Sequence, residues 1–248
     1  MTHHLPVLLV VVPLVAAPIA ALLNRPRLSW AVAVAATLWA LYAALELLSQ
    51  TMATGSVHYE LGGWAAPYGI EYVVDPVNAW VVVIVTLIGA LVVPYARVSV
   101  EREITEDRIP LFYAAFILCL TGLLGIAVTG DVFNVFVFLE ISSLSAYALI
   151  ALGSDRRALT ASFQYLIMGS VGATFIVIGI GLMYVMTGTL NMADLADRLP
   201  EVSGTRTIPV AFTFLTVGIT LKLALFPLHL WLPNAYTYAP SAVSALLS

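Results

Sequence analysis

Long apolar runs of about 20 residues, separated by short polar or Gly/Pro-containing joints, set the pattern of this chain. They fall at 5–23, 28–49, 73–95, 110–129, 132–152, 161–187 and 208–230, and a last run at 233–248 is still apolar at Ser248. The runs are continuous rather than alternating, which excludes the strand pattern of a membrane barrel. A bilayer core of ~30 Å takes ~20 helical residues to cross, and backbone groups in lipid must bond within their own segment. The pattern therefore predicts an all-α polytopic bundle of about seven transmembrane helices plus the start of an eighth. Asn24-Arg25-Pro26, Gly62-Gly63, Gly153-Ser154-Asp155 and Gly188 bring turn chemistry to the joints. The longest joint, 50–72, is too short for a soluble domain.

Composition agrees: 61% of residues are hydrophobic, 10% are charged, and the mean hydropathy is +1.00. Most charges lie in joints, so the net charge of −4 says little about partners. The single cysteine, Cys119, lies inside a predicted span, which rules out a disulfide framework within the chain and leaves a small core residue. In the first run, Arg25 and Arg27 follow the apolar stretch instead of preceding it, the wrong flank for a signal peptide. Arg25, Arg27, Arg97, Arg102, Arg108, Arg156 and Arg157 fall on one side of the predicted membrane and only Arg198 and Arg206 on the other. The first side is expected to be cytoplasmic, which places the N-terminus outside a cell membrane. Joint 50–72 has no Lys or Arg, and its Trp64 and tyrosines suit the outer headgroup level.

Two charges break the apolar runs. Glu140 lies about nine residues into its run, ~13 Å deep at 1.5 Å per residue, and Lys222 lies about 14 residues into its own, ~21 Å deep. A charge at that depth costs ~2.5–3.5 kcal/mol on insertion scales, so such residues face other helices or internal water. Ser143 and Tyr147 share the helical face of Glu140, and Ser142 and Ser145 lie on adjacent faces. Pro227 and Pro233 bracket a predicted helix break, FPLHLWLP, in which Pro227 cannot donate to the Leu223 carbonyl. Broken helices in transporters place ion sites at such points. His229 lies in that break, seven positions after Lys222, and a straight helix would put both on one face. These features point to a protonatable path through a membrane. A static interhelical ion pair is the competing reading for Glu140 and Lys222, and a structural or interfacial residue is the one for His229.

The other polar and small residues have plainer readings. Asp75 before Pro76, and Asp131 after Gly130, are expected helix caps. Gly169, Gly172, Gly179 and Gly181 are expected to let helices pack closely. His3, His4 and His58 have no metal-ligand spacing. There is no Gly-rich phosphate loop, Cys/His cluster or nucleophile–base arrangement in the sequence.

The stretch GDVFNVFVFLEISSLSAYALIAL around Glu140 resembles the fifth helix of the antiporter-like membrane subunits. LKLALFPLHLWLPNAYTYAPSAVSALLS resembles their broken seventh helix, and YGIEYVVDPVNAW their N-terminal region. The wording FNxFVxxEISSLSxYALI is most similar to the D-type subunits of Mrp-type multisubunit Na+/H+ antiporters; related subunits occur in respiratory complex I and membrane-bound hydrogenases. The resemblance implies that the glutamate matching Glu140 and the lysine matching Lys222 form a proton-translocating pair. It implies helices one to three over 1–109 and a first antiporter repeat over 110–248, cut before an inverted second repeat. The chain is about half the family's length, so it is expected to be a fragment or half of a split subunit.

The expected function is that of a proton-translocating subunit of a Na+/H+ antiporter. Protons would pass along Glu140, internal water, Lys222 and His229, with other membrane subunits as partners. No bound organic cofactor is expected, and no catalytic chemistry of the chain's own. The alternatives are a proton-pumping subunit of a quinone- or hydrogenase-linked complex, and a scaffold piece without transport.

Overall fold

The computed structural model describes residues 2–248. Four helices open the chain: α1 (Leu5–Leu22), α2 (Pro26–Thr54), α3 (Pro76–Glu103) and α4 (Ile109–Val128). They continue with α5 (Val132–Ala151), α6 (Arg157–Thr187), α7 (Met192–Val202), α8 (Thr207–Lys222), α9 (Trp231–Tyr238) and α10 (Ser241–Leu247). Strands β1 (Val57–Glu60) and β2 (Glu71–Val74) pair antiparallel between α2 and α3.

The helix ends follow local chemistry. Asp75 caps α3 by accepting from the amides of Val77 and Asn78 at 2.8 Å each, while Asn78 accepts from the Asp75 amide at 2.7 Å. This is a reciprocal capping box with Pro76 in the first turn. Asp131 caps α5 by accepting from the Asn134 amide at 2.7 Å, and α6 stops at Gly188 in the left-handed region, φ 72°. Both aspartates are therefore caps, as the sequence predicts.

α4 is the centre of the bundle and packs on α1, α2, α3 and α5. Phe112, Phe116, Ile117, Leu120 and Leu124 are fully buried there. α2 turns an alanine face inward (Ala33, Ala36, Ala40, Ala43, Ala44), which lets backbones approach closely. Gly125 of α4 lies against the ring of Phe138, and Gly122 against the backbone of α5 near Ser142, so a methyl group has no room at either position. At the other side of the molecule α6 packs along α8, with Gly218 against the Gly172 carbonyl. At one end of the bundle Glu103 accepts from the Ser241 amide at 2.9 Å and its hydroxyl at 2.7 Å. These bonds tie the end of α3 to the start of α10.

Among the described residues six helices, α1 to α6, are long and apolar enough to cross a membrane. The predicted seventh span, 208–230, is not one helix. α8 ends at Lys222 after 16 residues, ~24 Å of rise, and residues 223–230 are non-helical. The break therefore begins ahead of Pro227, and Pro233 sits in the first turn of α9, where a missing amide is tolerated. The predicted third span also shifts. Residues 73 and 74 belong to β2, and the helix runs from Pro76 to Glu103. Joint 50–72 holds most of the β1–β2 hairpin, and α7 is a short amphipathic helix between α6 and α8.

Candidate functional site

Glu140 and Lys222 meet. Lys222 Nζ donates to Glu140 Oε1 at 3.1 Å and to Ser143 Oγ at 2.8 Å, joining the middle of α5 to the last residue of α8. The lysine side chain is 9% exposed and the carboxylate 25%. Glu140 and Ser143 are three residues apart, so one face of α5 presents both oxygens to one ammonium. Gly172 of α6 completes the setting. A Cβ there would lie 3.5 Å from Lys222 Cγ and 3.2 Å from Leu221 Cβ, so the α6 backbone runs along the lysine stem.

The end of α8 supplies acceptors and a negative dipole end beside the lysine. In its last turn the amides of Leu223, Ala224 and Leu225 bond the carbonyls of Ile219, Leu221 and Thr220, and the negative end of the helix dipole favours a cation at Lys222. One of those carbonyls, that of Leu221, accepts from the indole of Trp231 at 3.2 Å, so the first residue of α9 bonds back across the break. Trp231 stacks on Tyr165 of α6 with ring centres 4.0 Å apart, and Tyr165 meets Tyr147 of α5 edge-on at 4.5 Å. Ala224 takes the left-handed region at φ 50°, a conformation that leads the chain out of the helix.

His229 does not share a face with Lys222, because no helix connects them. It is half-buried beside Phe226, with ring centres 5.6 Å apart, and its Nδ1 is buried without a hydrogen-bond partner among the described residues. Beside the break lies a cleft of about 490 Å³ lined by Gln164, Met168, Pro227, Trp231 and Asn234 among others. A second cleft of about 190 Å³ leads on to Arg157 and Tyr238. Gln164 and Asn234, bonded at 3.1 Å, border both.

Some residues depart from the sequence reading. Gly172 and Gly179 serve α6–α8 packing, whereas Gly169 faces the Tyr147 hydroxyl on α5 and Gly181 faces open space. Glu71, which the sequence presents only as one more polar residue of a joint, is buried at 8% exposure. It accepts from Asn191 Nδ2 at 2.8 Å and lies 3.4 Å from His58 Nδ1, which fastens the hairpin to the α6–α7 joint. The short strand pattern of EYVV is its only signal. Burial pushes the Asp131 carboxyl up from its ordinary range despite the amide bonds at its cap. Among the described residues no group of three His, Cys, Asp or Glu side chains is placed to hold a metal ion.

The fold thus defines a multi-pass helical membrane protein in which a lysine at a helix break pairs with a partly buried carboxylate of the neighbouring helix. Residues 129–248 match the family described as NADH:quinone oxidoreductase/Mrp antiporter, TM, and the chain belongs to the antiporter-like membrane subunits of that family. It is 43% identical over its whole length to the N subunit of NADH-quinone oxidoreductase from Desulforudis audaxviator, covering 50% of that protein. It is 38% identical to the Na(+)/H(+) antiporter D-type subunit of Bacillus subtilis over 81% of this chain and 40% of that one. Among solved structures, the membrane-bound sulfane sulfur reductase, an archaeal respiratory membrane complex, matches 96% of this chain and 49% of its own, with TM-score 0.89 and 31% identity. The Mrp complex of a Dietzia species matches 99% and 45%, with TM-score 0.87 and 27% identity. The chain spans half or less of the length of these relatives.

Proposed function

We propose that this chain carries protons in a multisubunit Na+/H+ antiporter of the Mrp type, with Glu140 and Lys222 as the groups that bind and release them. The observation that carries this reading is the 3.1 Å contact between a carboxylate and an ammonium buried among apolar helices, at the point where one helix stops. A proton on Glu140 releases Lys222 to its other partner, Ser143, and loss of that proton draws the ammonium back. A group balanced in this way responds to charge changes in its surroundings. The two clefts, which share Gln164 and Asn234, extend from the break toward the Arg157 end of α6 and support an exit on that side. His229, with its free Nδ1 at the break, is the further carrier on that route. The arginine distribution makes the Arg157 end cytoplasmic and the N-terminus external in a cell membrane. Other membrane subunits are its partners, because the relatives are subunits of larger complexes.

The test is Na+-dependent dissipation of ΔpH in everted vesicles that carry the complete complex. Glu140→Ala is expected to reduce exchange to background with the complex still assembled. Normal exchange in that variant would remove Glu140 from the path.

A second reading has its own observation. The 43% identity along the whole chain is to an oxidoreductase subunit, which favours proton pumping coupled to electron transfer. Exchange in vesicles without any electron donor decides for antiport. Proton movement that appears only when a donor is added decides for the pump.

A further inference from the structure

The hydroxyls around the ion pair are not alike. Ser142 and Ser145 donate back to the Leu139 and Ile141 carbonyls of their own helix, at 3.0 and 2.7 Å. Ser143 instead has the Lys222 ammonium as its partner at 2.8 Å, and accepting that bond leaves its own proton free to point elsewhere. One turn further along the same face stands Tyr147, 5% exposed, whose hydroxyl has no hydrogen-bond partner among the described residues. A buried hydroxyl without a partner costs roughly as much as a lost hydrogen bond, so its presence calls for a reason. The pocket for it is built. Gly169 of α6 faces the oxygen, and a Cβ there would overlap it. Tyr165 holds the ring edge-on.

We propose that Tyr147 is a further proton-carrying group, reached from Lys222 through Ser143. This rests on the reading that Glu140 and Lys222 carry protons. Lys222 gives a proton to the Ser143 oxygen as Ser143 releases its own toward the Tyr147 oxygen. Tyr147 in turn releases its phenolic proton to a water molecule on the Arg157 side of α6, which carries it on as hydronium. The lysine ends neutral, and both hydroxyls end as they began. Side chains four apart on a helix face are neighbours, so a proton leaving Ser143 has the Tyr147 oxygen within reach, directly or through one water. Burial of the lysine with two acceptors of unlike kind then has a direction. Glu140 is the partner that holds the charge, and Ser143 is the one that lets the proton go.

Tyr147→Phe keeps the ring, its contact with Tyr165 and the fit at Gly169, and removes only the hydroxyl. In everted vesicles, with rates normalised to assembled complex, it is expected to lower Na+-dependent exchange at least about fivefold. The solvent deuterium isotope effect should rise, since proton transfer then limits the rate. Ser143→Ala is expected to do the same, and the double variant to be no slower than the worse single, because the two groups act in series. A packing role predicts the reverse for Tyr147→Phe, namely an unchanged rate and an unchanged isotope effect. Exchange within twofold of the parent, or losses that multiply in the double variant, would overturn the proposal. Glu140→Ala in the same vesicles separates the two layers. If exchange survives there, the pair itself is wrong; if exchange is lost there but intact in Tyr147→Phe, only the tyrosine is wrong.

Discussion

The helices around α4 and those around the break treat the same kind of polar atom in opposite ways. On α2, α3 and α4 the hydroxyls of Thr37, Thr86 and Thr121 donate to carbonyls one turn back, at 3.0, 2.8 and 2.7 Å. Ser29 likewise donates to the Ala20 carbonyl across the α1–α2 turn at 2.7 Å. Each of these four donors bonds a main-chain carbonyl, and none of them meets an ionised side chain. On α5 and α8 the carboxylate, ammonium and Ser143 hydroxyl satisfy one another across helices, and Tyr147 and His229 keep a buried polar atom unpartnered among the described residues. One region is closed to protons because these hydroxyl hydrogen bonds end on main-chain carbonyls, which hold no proton to pass on. The other can be open to them because its hydrogen bonds are shared.

The strongest way to break that contrast is at the pair. Lys222→Ala leaves the partly buried Glu140 carboxylate without its cation, a change that costs up to about 3–5 kcal/mol where a pair is fully buried. Exchange should vanish and the yield of assembled complex should fall. Adding Glu140→Ala should restore the yield but not exchange, as read by native gel and vesicle assay. A double variant that assembles no better than Lys222→Ala alone would mean the pair is not the main charge balance in this region. A milder test lies in the closed region. Gly125→Ala drives a methyl group into the Phe138 ring, an overpacking of about 1–3 kcal/mol. Thermal stability should drop while exchange per assembled complex stays near normal. The smallest effect is expected from Thr37→Val. It removes a hydroxyl that bonds only within its own helix, so stability should shift by less than about 1.5 kcal/mol and exchange should not change.

The two charges at the centre were legible because apolar surroundings made them conspicuous: nothing but function or pairing keeps Glu140 and Lys222 in such runs. Their contact was not legible, since residues 82 apart in sequence are joined only by the packing of α6 between α5 and α8. Asp75 and Asp131 were readable because caps are local chemistry. The end of α8 was misplaced for the opposite reason. Proline marks where a helix cannot continue, but Trp231 bonding to the Leu221 carbonyl and the turn at Ala224 let this one stop earlier. The role of Glu71 was hidden because its partner Asn191 lies 120 residues away and a short hairpin leaves little periodicity to read. Gly169 reads in sequence as helix packing, whereas its empty side is filled by the phenol of Tyr147.

The stop at Lys222 makes the chain before it and the chain after it different kinds of measure. Within α8 every residue counts as about 1.5 Å and about 100° of turn, so the ammonium's direction is a sum over the 16 residues from Thr207. One residue added there would swing Lys222 about 100° off the line to Glu140. From 223 to 230 the backbone keeps no such count, and a residue gained or lost there leaves the direction of Lys222 alone and moves Trp231 on the far side instead.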